Sequence, residues 1–376
     1  MRICFFGNVS NALLGKTPGG GELQIALLAT ALARAGHEVF VVDPLEGRNF
    51  ETDDGVKVFS VPGWNGGVRI FRTLSHRIPA LLKVLKAQQA DVYYTRTRSF
   101  YNFLPFIAAR KVNAEFVFAV ASDLDVVGFK ARLFHHYLRS MHPYDWIAEA
   151  LPTEMVLPYL LRHADVVLAQ HETQKMELER KNIPSIVFQN LIDIQSILSN
   201  GTVTRREGYA YVGSLDIRKG FKEFVQIAET VTDKKFKVIG QARGKGAEEL
   251  CKRLQQLPNA KIYGRLSHET TINHIANSEA LICTSPYEGF PNTFLEAWCV
   301  GTPVISLSVD PGGVIEKHKL GIVCHGNLEK FKEVVRGGAD RAAFDRDALV
   351  RYISRYHSMG NAAESFIKIV RKGEVN

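Results

Sequence analysis

Short apolar runs alternate with longer amphipathic stretches along almost the whole chain. In the first half, strands are predicted at residues 2–7, 39–42, 92–94, 116–120, 166–169 and 186–188, and a helix over 21–35 ends at Gly36-His37-Glu38. Strands this apolar, separated by helical stretches, predict a parallel sheet covered by helices on both faces. Residues 200–206 are polar and lack periodicity, and read as a linker. The pattern then restarts with a strand at 209–212, a helix at 221–231 and strands at 236–239 and 280–283. A last helix is predicted over 361–370. Two successive doubly wound units imply a cleft between them, with a ligand at the C-terminal ends of the strands.

The densest chemistry lies in Thr284 to Gly301, TSPYEGFPNTFLEAWCVG. Two carboxylates, Glu288 and Glu296, stand with seven residues between them. The first falls in a loop with Gly289, Phe290 and Pro291, after the strand ALIC. The second falls in a helix marked by Phe294, Ala297 and Trp298 and stopped at Gly301-Thr302-Pro303. Asn292 is the expected N-cap. The first amides of a helix lack internal partners and carry partial positive charge, so an anionic diphosphate docks there, at Asn292 and Thr293. Glu296 would sit roughly 6 Å further along the axis and accept from the two hydroxyls of a ribose. Glu288 falls on the other side of the phosphates, where a sugar would be.

Two further loops follow predicted strands. Thr17-Pro18-Gly19-Gly20-Gly21-Glu22 opens the first long helix, and its glycines let backbone approach a ligand. Gly15-Lys16-Thr17 imitates the end of a P-loop, but Ser10 stands where the first glycine is required and Pro18 breaks the helix start. Gly213-Ser214-Leu215-Asp216-Ile217-Arg218-Lys219-Gly220 leads into the helix at 221–231, where a Lys219 ammonium can neutralise a departing diphosphate. Arg218 reads as a surface charge.

Composition narrows the partners. The 376 residues suit two domains, no apolar run approaches the length needed to span a bilayer, and the N-terminus lacks the basic-then-apolar pattern of a signal peptide. Five scattered cysteines form no Cys-x-x-Cys pair, and twelve histidines, His135-His136 included, show no metal-ligand spacing; reduced thiols and no metal are expected. The net charge of +8 points to an anionic partner, and no nucleic-acid motif accompanies it. Between Asp54 and Asp91 there is no acidic residue, whereas Lys57, Arg69, Arg72, Arg77, Lys83 and Lys86 are present. Ile70, Leu74, Ile78, Leu81 and Leu85 share one face of a helical wheel interrupted by Pro79. The segment 69–86 fits equally a helix lying on an anionic membrane and a sheet-covering helix with a solvated face.

The run Glu288-Gly289-Phe290-Pro291-Asn292, with Leu295-Glu296-Ala297 and Gly301-Thr302-Pro303-Val304-Ile305, resembles the signature of retaining glycosyltransferases of family 4. The resemblance extends from Met1 to about Gly326. It implies the GT-B fold, with an acceptor domain over 1–197, a donor domain over 198–359 and a C-terminal helix, 360–376, returning to the first domain. It also implies transfer from a nucleotide diphosphate sugar to a hydroxyl acceptor, a glycan or lipid-linked saccharide, without cofactor or metal. Under this resemblance Lys219, Glu288 and Asp123 are the catalytic set. Gly19, Gly20, Gly213, Ser214, Arg218, Arg265, Gly289, Phe290, Asn292, Thr293 and Glu296 bind the donor, with Tyr263-Gly264-Arg265 near the base. Glu22, Arg96, Arg98 and Ser122 face the acceptor, and Asn190 shapes the hinge.

The chain departs from the family pattern twice. Ser214 stands where an arginine is usual, and Ala121-Ser122-Asp123-Leu124-Asp125 has no histidine where many relatives carry one. The Asp-x-Asp there also resembles the metal site of the other glycosyltransferase fold, which would not explain the second half of the chain. A cytoplasmic location, with peripheral contact to the inner face of the membrane, completes the expectation. A sugar-nucleotide epimerase of the same fold and a non-catalytic sugar-nucleotide binder are the alternatives.

Overall fold

The computed structural model describes all residues except 17–18, 45–46, 68–71, 129–149, 202, 245, 339–343 and 374–376. Thr17, Pro18, Arg69, Ile70 and His135-His136 therefore lie outside the described residues. The described residues form two compact units, one from 1–127, 150–191 and 359–373, the other from 192–358.

The first unit holds eight strands: β1 (Arg2–Phe6), β2 (Glu38–Asp43), β3 (Phe50–Glu51), β4 (Val56–Ser60), β5 (Val92–Arg96), β6 (Glu115–Ala119), β7 (Val166–Ala169) and β8 (Ile186–Val187). Their order is β3-β4-β2-β1-β5-β6-β7-β8, and all pairs are parallel except β3 with β4. Side chains alternate across the pleat. Ile3 and Phe5 enter one core with Ile25, Leu28 and Leu32, while Cys4 and Phe6 enter the other with Leu81, Leu85 and Leu160. The C-terminal helix Ala362–Gly373 belongs to the first of these cores, where the Phe366 ring lies 6.0 Å from Tyr94 and 6.0 Å from Phe188.

The basic segment departs from the single helix read from the wheel. A five-residue π-helical turn, Thr73–Arg77, precedes the α-helix Ile78–Ala87, and Pro79 falls in the first turn of that helix, where it interrupts nothing. Leu81 and Leu85 are fully buried against the sheet, whereas Leu74 is 72% exposed. The change of helix type rotates Leu74 off the buried stripe. Arg72 donates to Gly66 O at 2.9 Å, and Arg77 donates to Trp64 O at 3.0 Å with its guanidinium 4.8 Å from the Trp64 ring. These cations hold the preceding loop.

The second unit holds β9 (Tyr209–Val212), β10 (Phe236–Ile239), β11 (Ala260–Gly264), β12 (Ala280–Cys283), β13 (Val304–Ser306) and β14 (Gly321–Val323). They run parallel in the order β11-β10-β9-β12-β13-β14. The chain builds outward from β9 through β10 and β11, then crosses to the other side at β12. The crevice beyond the C-terminal ends of β9 and β12 is therefore the switch point, where doubly wound sheets bind ligands. Thr204 to Arg206, within the stretch read as a linker, are held by hydrogen bonds. Asn200 closes the helix Ile194–Asn200, Thr204 and Arg205 amides donate to Asn277 Oδ1 at 2.8 and 3.0 Å, and buried Arg206 donates to Val300 O at 2.7 Å. Polar side chains clasping backbone carry no hydrophobic period, so the pattern hid them.

Candidate functional site

Both loops at the switch point of the second unit deliver a charged side chain. After β9, Asp216 caps the short 3-10 turn Ile217–Lys219, its Oδ1 accepting from Arg218 N at 2.9 Å. After β12, the loop from Thr284 to Pro291 carries Glu288. The two loops are locked by backbone contact. Thr284 Oγ1 donates to Gly220 O at 2.8 Å, Ser285 Oγ donates to Lys219 O at 3.3 Å and Tyr211 Oη donates to the same oxygen at 3.4 Å. Burial pushes the Tyr211 phenol far above its ordinary pKa, so it stays a neutral donor. Gly220 has φ 71°, and a Cβ there would stand 1.9 Å from Thr284 O. Only glycine permits that approach.

The result is an ion pair between separate loops. Lys219 Nζ lies 2.7 Å from each carboxylate oxygen of Glu288. Both side chains keep solvent access, at 43% and 21% exposure, so the pair can open to a ligand. Arg218 turns to Asp216, its Nε 3.0 Å from Oδ2. Burial acts to raise the Asp216 pKa, but the Arg218 hydrogen bonds win and hold it below the ordinary carboxylate value. Gly213 and Ser214 occupy the turn after β9, exposed and half-buried respectively.

The helix after Pro291 runs Asn292–Cys299. Pro291 occupies the N-cap position with extended φ and ψ, and Asn292 is the first helical residue, so the helix starts one residue earlier than read from the sequence. Proline has no side-chain acceptor, and Pro291 makes no capping hydrogen bond. The Asn292 and Thr293 amides thus head a helix of eight residues adjoining the Glu288 loop. Phe290 is buried against His357, ring centroids 4.8 Å apart, which pins the loop from Gly289 to Pro291.

Glu296, fifth in that helix, is 8% exposed, and its Oε1 lies 3.0 Å from His268 Nε2. His268 opens the helix His268–Ala276 behind its N-cap Ser267. The hydrogen bond to Glu296 raises the His268 pKa above its ordinary 6.5 against the opposing effect of burial. A group with a raised folded-state pKa contributes stability below its unfolded value and loses it as pH rises through the folded one. The melting temperature of wild type should therefore exceed that of His268→Ala more at about pH 5.5 than at about pH 8.5. Equal gaps in thermal melts at the two pH values would show that the contact carries no charge. Gly264, at the end of β11, has φ 73°, and Arg265 beside it is exposed.

In the first unit the polar residues after the strands form a connected set. Arg96 at the end of β5 is 4% exposed and donates to Asn190 Oδ1 at 2.7 Å. Gln170, after β7, donates to the same oxygen at 3.0 Å and accepts from Gln174 at 3.1 Å. Gln174 donates at 2.8 Å to Asp123 Oδ1, which also lies 3.1 Å from His171 Nε2. His171 Nδ1 accepts the Gln174 amide at 3.4 Å, which leaves the ring proton on Nε2, facing Asp123. Ser122 caps the turn Asp123–Val126, and Asp125 accepts the Ala121 and Ser122 amides at 2.9 and 3.0 Å. Arg98 lies between two buried carboxylates, 3.8 Å from Asp125 and 3.9 Å from Glu154. Gly19 caps the helix Gly20–Arg34, and Glu22 folds back to accept the Gly19 amide at 2.7 Å.

The structure thus brings together Lys219 and Glu288, sets Glu296 in the helix that follows the Glu288 loop, and connects Arg96 with Asp123 through amides. His268, His171, Gln170 and Gln174 were missed by sequence reasoning. The Ser-His-Glu-Thr start of the helix at His268 is the one local signal that points to any of them.

A family model described as glycosyl transferases group 1 matches residues 198–372, and one described as glycosyl transferase 4-like domain matches residues 19–188. An uncharacterized glycosyltransferase of Methanocaldococcus jannaschii is 24% identical over 194 residues, covering 46% of this chain and 47% of that protein. The match therefore spans about half the length of this relative. Among solved structures, the sucrose-phosphate synthase of Thermosynechococcus elongatus has a TM-score of 0.79 at 16% identity, covering 100% of both chains. Anabaena HepE in complex with UDP and glucose has a TM-score of 0.68 at 17% identity, covering 98% of this chain and 99% of that one.

Proposed function

The chain belongs to the glycosyl transferases group 1 and has the GT-B fold, and on that premise we propose a retaining enzyme that moves a sugar from a nucleotide diphosphate sugar to a hydroxyl of a glycan or lipid-linked acceptor. The observation that carries this reading is the meeting of Lys219 and Glu288 at the switch point, on the loop that leads into the helix Asn292–Cys299. A cation and first-turn amides match a diphosphate, and a carboxylate beside them matches sugar hydroxyls. HepE, of similar fold, was solved with UDP and glucose, which supports this donor class.

In the proposed reaction the donor opens the ion pair, Lys219 turning to the phosphates and Glu288 to the sugar. The bond from the anomeric carbon to the phosphate oxygen breaks, and its electron pair leaves with the diphosphate. Lys219 and the amides of Asn292 and Thr293 stabilise that charge, so no metal is needed. The acceptor hydroxyl attacks from the face the phosphate leaves, its proton passing to the departing phosphate, and configuration is retained. Asp123, held by His171 and Gln174, is the carboxylate assigned to the acceptor side. Among the described residues no helix is long and apolar enough to cross a membrane. A peripheral contact with the inner face of the membrane, in the cytoplasm, is part of the same proposal and rests on the exposed Lys83 and Lys86 of the basic segment.

Incubation with UDP-, GDP- and ADP-sugars, alone and with glycan or lipid-linked acceptors, tests the reading. Transfer with the anomeric configuration kept, read by NMR, is expected. Conversion of the sugar nucleotide to an epimer without acceptor would replace the transferase reading. Glu296→Gln should weaken donor binding about tenfold or more, with a smaller effect on kcat, as expected for losing hydrogen bonds to a charged acceptor. An unchanged donor affinity in calorimetry would remove Glu296 from the ribose.

A further inference from the structure

Glu296 sits in an unusual position for a carboxylate. It is 8% exposed, within a helix whose Phe294 and Trp298 share a buried core with Leu349. A hydrogen bond from His268 reaches it at Oε1, 3.0 Å away. A carboxylate offers about four acceptor sites, so beside the His268 contact it can accept from more than one hydroxyl at once. A vicinal diol, two adjacent O–H donors, matches that capacity.

The ring that makes this contact is well placed to orient it. His268 is the first residue of its helix, directly behind an N-cap in which Ser267 Oγ accepts the Thr270 amide at 3.2 Å. The loop that leads to it follows β11, which lies two strands from β9 in the sheet. A histidine fixed in this way limits the rotamers of Glu296 before any ligand arrives, and such preorganisation lowers the entropy cost of binding.

We propose that His268 is a positioning residue for ribose recognition: it holds the Glu296 carboxylate so that Oε2 and the second lone pair of Oε1 face the two ribose hydroxyls. It thereby sets the discrimination between ribonucleotides and deoxyribonucleotides. The inference rests on the donor-site reading above and adds to it a residue on another helix and a selectivity.

Calorimetric titration of the full chain with UDP, GDP and ADP, and with their 2′-deoxy counterparts, tests it in wild type, His268→Gln, His268→Leu and Glu296→Gln. In wild type, at least one ribonucleotide should bind, and its deoxy counterpart should bind about tenfold to a hundredfold more weakly. His268→Leu should weaken the ribonucleotide about tenfold and leave the deoxy form nearly unchanged, so that selectivity collapses. His268→Gln, whose side-chain amide can donate from near the Nε2 position, should keep most of it. A merely structural role would not spare the deoxy nucleotide or be rescued by glutamine.

The outcomes separate the inference from its premise. If Glu296→Gln abolishes selectivity while His268→Leu retains it, the role of His268 fails and the ribose assignment stands. Equal losses in the glutamine and leucine variants, with unchanged melting temperatures, would overturn the hydrogen-bond basis. If no nucleotide binds wild type, or if wild type does not discriminate, the donor-site reading falls and the inference falls with it.

Discussion

Turnover of the Lys219→Ala variant should fall about a hundredfold to a thousandfold, the scale for removing one donor that stabilises charge in a transition state. The expectation follows from how the loop after β9 distributes its cations. Arg218 is drawn to Asp216, with Nε 3.1 and 3.0 Å from the two carboxylate oxygens. Ser214 brings no charge. Lys219 pairs with Glu288 across the switch point, half-exposed and able to swing. Its removal also leaves Glu288 without that counter-charge, so part of the loss should appear as weaker donor binding. Steady-state kinetics with a saturating donor separate the two effects. Turnover within threefold of wild type would take Lys219 out of the mechanism.

The largest loss of stability is expected at Trp298. The indole projects, fully buried, from the same helix that carries Glu296, with ring neighbours Phe294 and Tyr352 each at 5.7 Å and Phe290 at 6.2 Å. Its Nε1 donates to Leu320 O at 2.9 Å. Trp298→Ala empties the centre of that core and strands the carbonyl, at a cost of about 3–5 kcal/mol. For a unit of this size the melting temperature should drop by roughly 6–20 °C. Differential scanning calorimetry reads it directly. A drop below about 3 °C would mean that Phe290, Phe294 and Tyr352 collapse into the space. Because the same helix start is assigned to the diphosphate, donor affinity should fall in parallel.

The legible parts of this protein are those written in short stretches of chain. β9 and its loop, β12 and its loop, and the helix after Pro291 each show their type within a dozen residues, and the switch point follows from their order. The pairing of Lys219 with Glu288 was therefore within reach as a shared location, though not as an ion pair. His268 and Glu296 are 28 positions apart, and His171 and Asp123 are 48 apart. Such contacts depend on how elements pack, and a polar residue at a helix start looks the same whether it faces solvent or a carboxylate. Asn292 misled because asparagine is a good cap, yet Pro291 already holds the extended backbone that a cap position requires. Arg72 and Arg77 misled because charge patterns read long cations as solvated, whereas both reach back to carbonyls of the loop before them.

The approach of Gly220 to Thr284 has a practical consequence for altering this enzyme. The loops that carry Lys219 and Glu288 are in backbone contact, with no room for a side chain between them. They behave as one cassette. A library that varies residues 213–220 while leaving 284–291 untouched will mostly sample misfitted pairs, and grafting the loop of a relative demands that both halves travel together. Changing what sugar this protein handles is thus a problem of exchanging matched loops, with Gly220 left in place as the seam.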